Sequence, residues 1–202
     1  MAAFLDGLPT AKGCAAVPFV TWGGAISGIA LWQMGQRLDQ KGYTLAGTAK
    51  VLAVHSMMWQ STDPVGQGHP DGADDEQLRR LIGAVVARLS GSCGERLSLV
   101  DLDYQPESLN AGFKQKLDRP WMIIPKTIDE GECTQCAVCT QVCPVGAVSL
   151  DPLPVFDERC FVCIRDCPEA AIVPAVTMEK ITAMIRERAE KYNEQPPKKI
   201  FF

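Results

Sequence analysis

Residues 133–144 read Cys-Thr-Gln-Cys-Ala-Val-Cys-Thr-Gln-Val-Cys-Pro, a C-x2-C-x2-C-x3-C-P run. Thiolates at that spacing are the ligand set of a bacterial-type iron–sulfur cluster. The first three wrap one cube, and the fourth, set before a proline, is thrown across to a second cluster. A second half-motif follows in Cys160, Cys163 and Cys167-Pro168. "Cys143-Pro-Val-Gly-Ala-Val" and "Cys167-Pro-Glu-Ala-Ala-Ile" are near-copies, so the region is an internal duplication. Zinc sites instead pair two C-x2-C knuckles across a longer gap, and neither half has that form.

The crossed rule assigns Cys133, Cys136, Cys139 and Cys167 to a first [4Fe–4S] cluster and Cys143 to a second, with Cys160 and Cys163. That second set is one cysteine short. A full motif ending at Cys167 needs ligands at 157, 160 and 163, and position 157 is Asp. Two readings stay open: Asp157 supplies an oxygen ligand, or three residues have been lost between Cys160 and Cys163. "Asp-Glu-Arg-Cys" resembles the lead-in to a first cysteine and favours the loss. Three thiolates suit a [3Fe–4S] cluster, or a [4Fe–4S] cluster with a non-cysteine or open iron; an empty site is the third outcome. Pro144 and Pro168 fix φ where the chain leaves each cluster and begins a short helix. Cys14 and Cys93 lie alone and read as bystanders, His55 reads as a structural histidine, and His69 is a loop residue with nothing near it in sequence to recruit. There is no Ser/His/Asp set, no paired catalytic carboxylates and no Walker loop.

Seven of the nine cysteines fall within 133–167, a metal pattern rather than a disulfide scaffold. With no leader of secretory type, the thiolates predict a reducing, cytoplasmic setting. The net charge of −4 is carried by residues 101–202, which hold 12 basic and 16 acidic side chains. An anionic tetrathiolate cluster makes the protein more negative still. That excludes nucleic acid and points to a basic face on a redox partner protein. Gly13 to Gly35 is uncharged, but Pro18 and Gly23-Gly24 interrupt it, so it predicts buried core rather than a membrane span.

The elements that position the cysteines fall into four stretches. Residues 1–92 alternate in the manner of an α/β unit. A strand from Ala15 to Val20 empties into Thr21-Trp22-Gly23-Gly24; a helix from Ala25 to Gln40 stops at Gly42. A strand follows over Tyr43 to Val54, buried on both faces at Val51–Val54. Leu78, Leu81, Ile82, Val85, Val86 and Leu89 then form one apolar helix face, with Asp74, Asp75 and Glu76 at its positive end. Residues 93–122 are a linker with a weak helix through Leu109, Phe113 and Leu117. The cluster domain spans 123–176, entered by short strands at Trp121–Ile124 and Thr127–Asp129. Residues 177–202 are a C-terminal helix to Tyr192 and a solvated tail.

These segments together resemble the flavodoxin-fused ferredoxins, in which a flavodoxin-like domain precedes a two-cluster ferredoxin domain. "Lys12-Gly-Cys-Ala-Ala-Val-Pro-Phe-Val-Thr-Trp-Gly-Gly-Ala" is similar to the fourth flavodoxin strand and the flavin-contacting loop after it. "Gly47-Thr-Ala-Lys-Val-Leu-Ala-Val-His-Ser" is similar to the fifth strand, and "Asp74-Asp-Glu-Gln-Leu-Arg-Arg-Leu" to the last helix. The resemblance implies a partial, doubly wound flavodoxin-like α/β unit followed by an α+β ferredoxin domain. It also implies that Thr21, Trp22, Gly23 and Gly24 flank the ring of an FMN. Strands one to three, with the loop that holds the FMN phosphate, have no counterpart here, and flavin binding by this chain alone is expected to fail. The α/β unit is left short, to be completed by a second chain or by a longer version of this one. The function implied is an electron carrier delivering single low-potential electrons to an oxidoreductase. The alternatives are a flavin/iron–sulfur reductase with its FMN site completed from elsewhere, and a docking subunit of a larger redox complex.

Overall fold

A computed structural model describes residues 2–91, 97–115, 125–144, 146–156, 161–196 and 199–202. In chain order the elements are α1 (Ala2–Gly7), β1 (Ala15–Ala16), β2 (Phe19–Trp22), α2 (Ala30–Gln40), β3 (Thr44–Leu45), β4 (Thr48–Leu52), α3 (Gly72–Leu89) and α4 (Glu107–Lys114). There follow β5 (Lys126–Ile128), α5 (Val138–Gln141), β6 (Val148–Asp151), β7 (Leu153–Phe156), α6 (Val162–Arg165), β8 (Ile172–Pro174), α7 (Met178–Tyr192) and β9 (Lys199–Phe201). They form two compact units: residues 1–56, 63–119 and 185–202 make the first, and residues 57–62 and 120–184 the second.

In the first unit β1 pairs with β3 and β2 with β4, both in parallel, Phe19 lying beside Ala49 and Trp22 beside Leu52. Pro18 removes a ladder donor between β1 and β2, which is why the expected single strand comes as two pieces. On the far side of β4 the C-terminal strand β9 adds antiparallel, Lys50 opposite Lys199. The tail expected to be solvated is therefore a third strand, held because Phe201 is buried in the core with Leu31, Met34, Leu38 and Leu45. Leu31, Met34 and Leu38 recur at helical spacing along α2, and the helix ends in a full Schellman turn. Gly42, at a left-handed φ of 85°, donates to Asp39 O at 2.9 Å and Tyr43 N to Leu38 O at 3.0 Å. The segment 97–115, read as part of a linker, lays Leu97 and Leu102 into the same core. Among the described residues this sheet has three strands, and a five-stranded doubly wound sheet is not found there.

Two further expectations change. The buried part of the second strand is Thr48–Val51, while Val54 is exposed beyond the strand end. On α3, Leu81 is buried, but Ile82, Val86 and Leu89 are 62, 56 and 63% exposed. The apolar stripe is wider than the small sheet can cover. Asp71 caps α3, accepting from Ala73 N and Asp74 N at 2.9 Å, while the Asp74 carboxylate closes a capping box on Asp71 N. His69, expected to have nothing to recruit, places Nδ1 2.7 Å from Asp74 Oδ2, a neighbour that the turn into the helix brings back to it.

The second unit is two β-α-β halves, β5-α5-β6 and β7-α6-β8. The halves interlock: β5 pairs with β8 and β6 with β7, both antiparallel. Strand residues Trp121–Ile124 lie outside the described residues. Among the described residues no helix is long and apolar enough to cross a membrane.

Candidate metal centre

The duplication read from the cysteines is present in the backbone. Cys143 O accepts from Gly146 N at 3.4 Å, and Cys167 O from Ala170 N at 3.2 Å, one turn repeated after each cysteine-proline pair. Gly146 has φ 64° and Ala170 φ 52°, so both turns need a left-handed residue at the same place. Helices α5 and α6 begin at 138 and 162, and carry the buried thiols Cys139 and Cys163 at the same position.

Cys133, Cys136, Cys139 and Cys167 line one hollow of about 340 Å³ including its open mouth. Cys143 is not among its walls. The rest of the lining includes Leu150, Pro154, Pro168 and Ile172, from both halves of the unit. Two of the loop residues beside Cys136 are left-handed, Gln135 at φ 55° and Ala137 at φ 62°. Alternating conformations of that kind turn backbone N–H groups to one side, as anion-binding nests do. Cys139 is 7% exposed and packs with Cys163 and Ile172 in the unit's core, against Ile128, Val148, Phe156 and Cys167. Burial pushes the Cys139 thiol up, partly opposed by backbone hydrogen bonds, and the neighbouring Cys136 and Cys167 push it further the same way. Four thiols from two sequence motifs thus share one locale, whose walls are mainly apolar, with Thr134, Gln135 and Glu169 also on its lining. That donor set fits a tetrathiolate iron–sulfur cube, which when bound supplies one-electron redox chemistry.

Cys143 Sγ accepts from Ala147 N at 3.2 Å, an N–H···S bond of the sort that tunes such ligands. Cys163 is 3% exposed. Asp157 and Cys160 lie outside the described residues. Their flanks are informative, because matched pairs fix the register of both halves: Ile128 is opposite Ile172, and Phe156 is opposite Val148. Ile128 precedes Cys139 by eleven positions, but Phe156 precedes Cys163 by only seven.

The glycine loop read as flavin-contacting is closely packed by the chain's own side chains. Trp22 is buried, with the Lys50 Nζ 4.9 Å from its ring centre. A Cβ on Gly23 would stand 2.5 Å from His55 Cδ2, and one on Gly24 would collide with Val65. The glycines are there because the chain's own side chains close on them. Thr21 lies on β2 beside Val51. His55 itself titrates low, chiefly from burial and then from Arg188. Cys14 is exposed, and Cys93 lies outside the described residues.

The first unit also holds a buried polar cluster that the sequence did not announce. Lys50 on β4 makes an ion pair with Glu194, both side chains almost wholly buried. The Glu194 carboxylate also accepts from Ser27 N at 2.8 Å and from Ser27 Oγ. Ser27 Oγ lies 2.6 Å from the Tyr104 hydroxyl and accepts from Gln105 Nε2 at 3.2 Å. Burial drives the Tyr104 pKa up to about 12. A lone lysine in the apolar run Thr48–Val54 was the available signal; nothing in the sequence marked Glu194 as its partner.

Compared with known families, residues 126–149 match the 4Fe-4S binding domain. The chain therefore carries a ferredoxin-type iron–sulfur domain, and with it an iron–sulfur electron-transfer role. No curated protein matches the chain.

Proposed function

We propose that this protein is a two-site iron–sulfur electron carrier of the flavodoxin-fused ferredoxin type, passing single low-potential electrons to a partner oxidoreductase. The observation that carries the reading is the crossing. Cys167, from the second motif, joins Cys133, Cys136 and Cys139 around one hollow, while Cys143 of the first motif does not line it. These four thiolates hold a [4Fe–4S] cluster. The chain's contribution is to bury it, donate backbone N–H groups towards its sulfurs and exclude water. Cys143, Cys160 and Cys163 hold the second cluster. The span from Phe156 to Cys163 is four positions shorter than its counterpart, and the lead-in Asp-Glu-Arg-Cys favours loss of a loop segment between Cys160 and Cys163, and with it one cysteine, over ligation by Asp157. Three thiolates then favour a [3Fe–4S] cluster there. The acidic chain and anionic clusters select a partner with a basic docking face, in a reducing compartment such as the cytoplasm. The 1–92 and 123–176 spans serve as scaffold and redox domain, and a second chain can complete the short sheet along β2.

The test is anaerobic purification with iron, sulfide and flavin assay. About seven irons per chain, without stoichiometric FMN, is the expected composition, from one four-iron and one three-iron cluster. Retention of FMN through gel filtration would favour the reductase reading instead. Asp157→Cys separates the two forms of the second site. With the loop shortened, the substitution is expected to leave iron content and EPR spectra unchanged. A gain of a second stable [4Fe–4S] cluster would show that position 157 is in ligand register.

A further inference from the structure

The first thiolate reaches the hollow on a short loop. Between the end of β5 at Ile128 and Cys133 lie only Asp129, Glu130, Gly131 and Glu132. Asp129 organises that loop. Its carboxylate Oδ1 accepts from Gly131 N at 3.0 Å, an Asx turn that bends the chain straight after the strand. Its carbonyl oxygen accepts from Cys133 N at 3.0 Å and from Glu132 N at 3.3 Å. Its own N–H donates to Ala171 O at 2.8 Å, one step beyond the Ile128–Ile172 pair of the β5–β8 ladder. Ala171 and Ile172 are walls of the hollow, and Ala171 is 1% exposed. Ala170 N in turn donates to Cys167 O at 3.2 Å. Cys133 and Cys167 belong to different motifs, and Asp129 stands between them in this run of backbone bonds. Its side chain is exposed and is not on the lining of the hollow, so neither core packing nor ligation accounts for it.

We propose that Asp129 is a positioning residue for the first cluster, its Asx turn setting the loop that presents the Cys133 thiolate beside that of Cys167. The proposal rests on the four-thiolate reading above. A short loop after a strand has many conformations open to it, and only those that turn back at once bring the Cys133 amide onto the Asp129 carbonyl. The side-chain acceptor selects them, so less ordering is left to be done when the loop closes on the cluster. Groups behind the ligands strengthen the hold on a metal in this way, by about 10–100-fold. Asp129 touches no iron; it acts through Cys133.

The experiment incubates the anaerobically purified holoprotein with a ferrous chelator and follows decay of the [4Fe–4S] EPR signal in samples reduced at intervals. Asp129→Ala and Asp129→Glu are expected to speed the decay on the order of tenfold. Asp129→Asn, which keeps an acceptor for Gly131 N–H and loses the charge, should decay at the unmodified rate. The melting temperature should stay the same in all three, since an exposed turn adds little to global stability. If Asp129→Ala does not fold, Glu against Asn carries the test by itself, because Glu keeps the charge and moves the acceptor away. Decay at the unmodified rate in Ala and Glu overturns the positioning role. So does fast decay in Asn, which would make charge the cause. A fall in melting temperature in step with the faster decay overturns it too, as general loosening of the unit. An unmodified chain with no [4Fe–4S] signal to follow is a failure of the four-thiolate reading itself, seen before any variant is made.

Discussion

Cys139→Ser is expected to abolish most of the reducible [4Fe–4S] signal and to cut the yield of folded protein as well. Cys139 sits at the centre of the cluster unit's core, beside Cys163 and Ile172, and lines the hollow with Cys133, Cys136 and Cys167. Metal ligation and folding are coupled where the ligands come from distant parts of the chain, because the site does not exist in the unfolded state. A serine oxygen is a poor replacement for a thiolate towards iron, and the hydroxyl would be buried among apolar neighbours. Cys14→Ser, at an exposed position of the other unit, should change neither EPR spectrum nor yield. An unaltered spectrum after Cys139→Ser would sink the ligand assignment.

Glu194→Ala should be the most damaging change outside the cluster domain, destabilising the first unit by about 3–5 kcal/mol, because it strands a buried lysine without its counter-charge. Lys50 is desolvated between the rings of Trp22 and Tyr104, and that burial lowers its pKa despite the opposing pull of Glu194. The double replacement Lys50→Met with Glu194→Leu should recover most of the loss, since exchanging both partners for apolar groups is often close to neutral. The pair also predicts a pH dependence. Burial pushes the Glu194 carboxyl up, but hydrogen bonds from Lys50, from the Ser27 hydroxyl and amide, and from Gln105 outweigh it, and the net shift is down from 4.5. A carboxylate with a depressed folded pKa stabilises fully above its unfolded value and loses that contribution as pH falls through the folded one. Thermal unfolding should therefore show an acid limb beginning near pH 4.5 that is weaker in Glu194→Gln. Equal melting of wild type and Glu194→Ala at neutral pH would contradict this role.

The cluster site was legible because its information is local. Ligand spacing, the proline after each last cysteine and the near-copy of a six-residue phrase all lie within 40 positions, Cys133 to Ile172. Helix α2 was legible for the same reason, as its apolar spacing and Gly42 stop are short-range signals. What escaped was long-range. Lys50 and Glu194 are 144 positions apart, and β9 reaches β4 from the far end of the chain. No periodicity in a three-residue strand announces such pairing. Residues 57–62 escaped likewise, since only the fold brings them to the cluster unit. At Thr21 to Gly24 a glycine pair after a strand reads as room for a ligand, and only the fold shows that His55 and Val65 pack against it.

The central claim is that four crossed thiolates hold a one-electron cluster, and EPR-monitored redox titration of the anaerobically purified chain tests it most directly. The expected result is a reduced [4Fe–4S] signal that grows in at low potential as a one-electron step and is lost in both Cys136→Ser and Cys167→Ser. The signal should survive in Cys143→Ser, whose thiolate is proposed for the other site. A chain that shows no reducible cluster, or one whose low-potential signal is abolished by Cys143→Ser and spared by Cys167→Ser, would contradict the account.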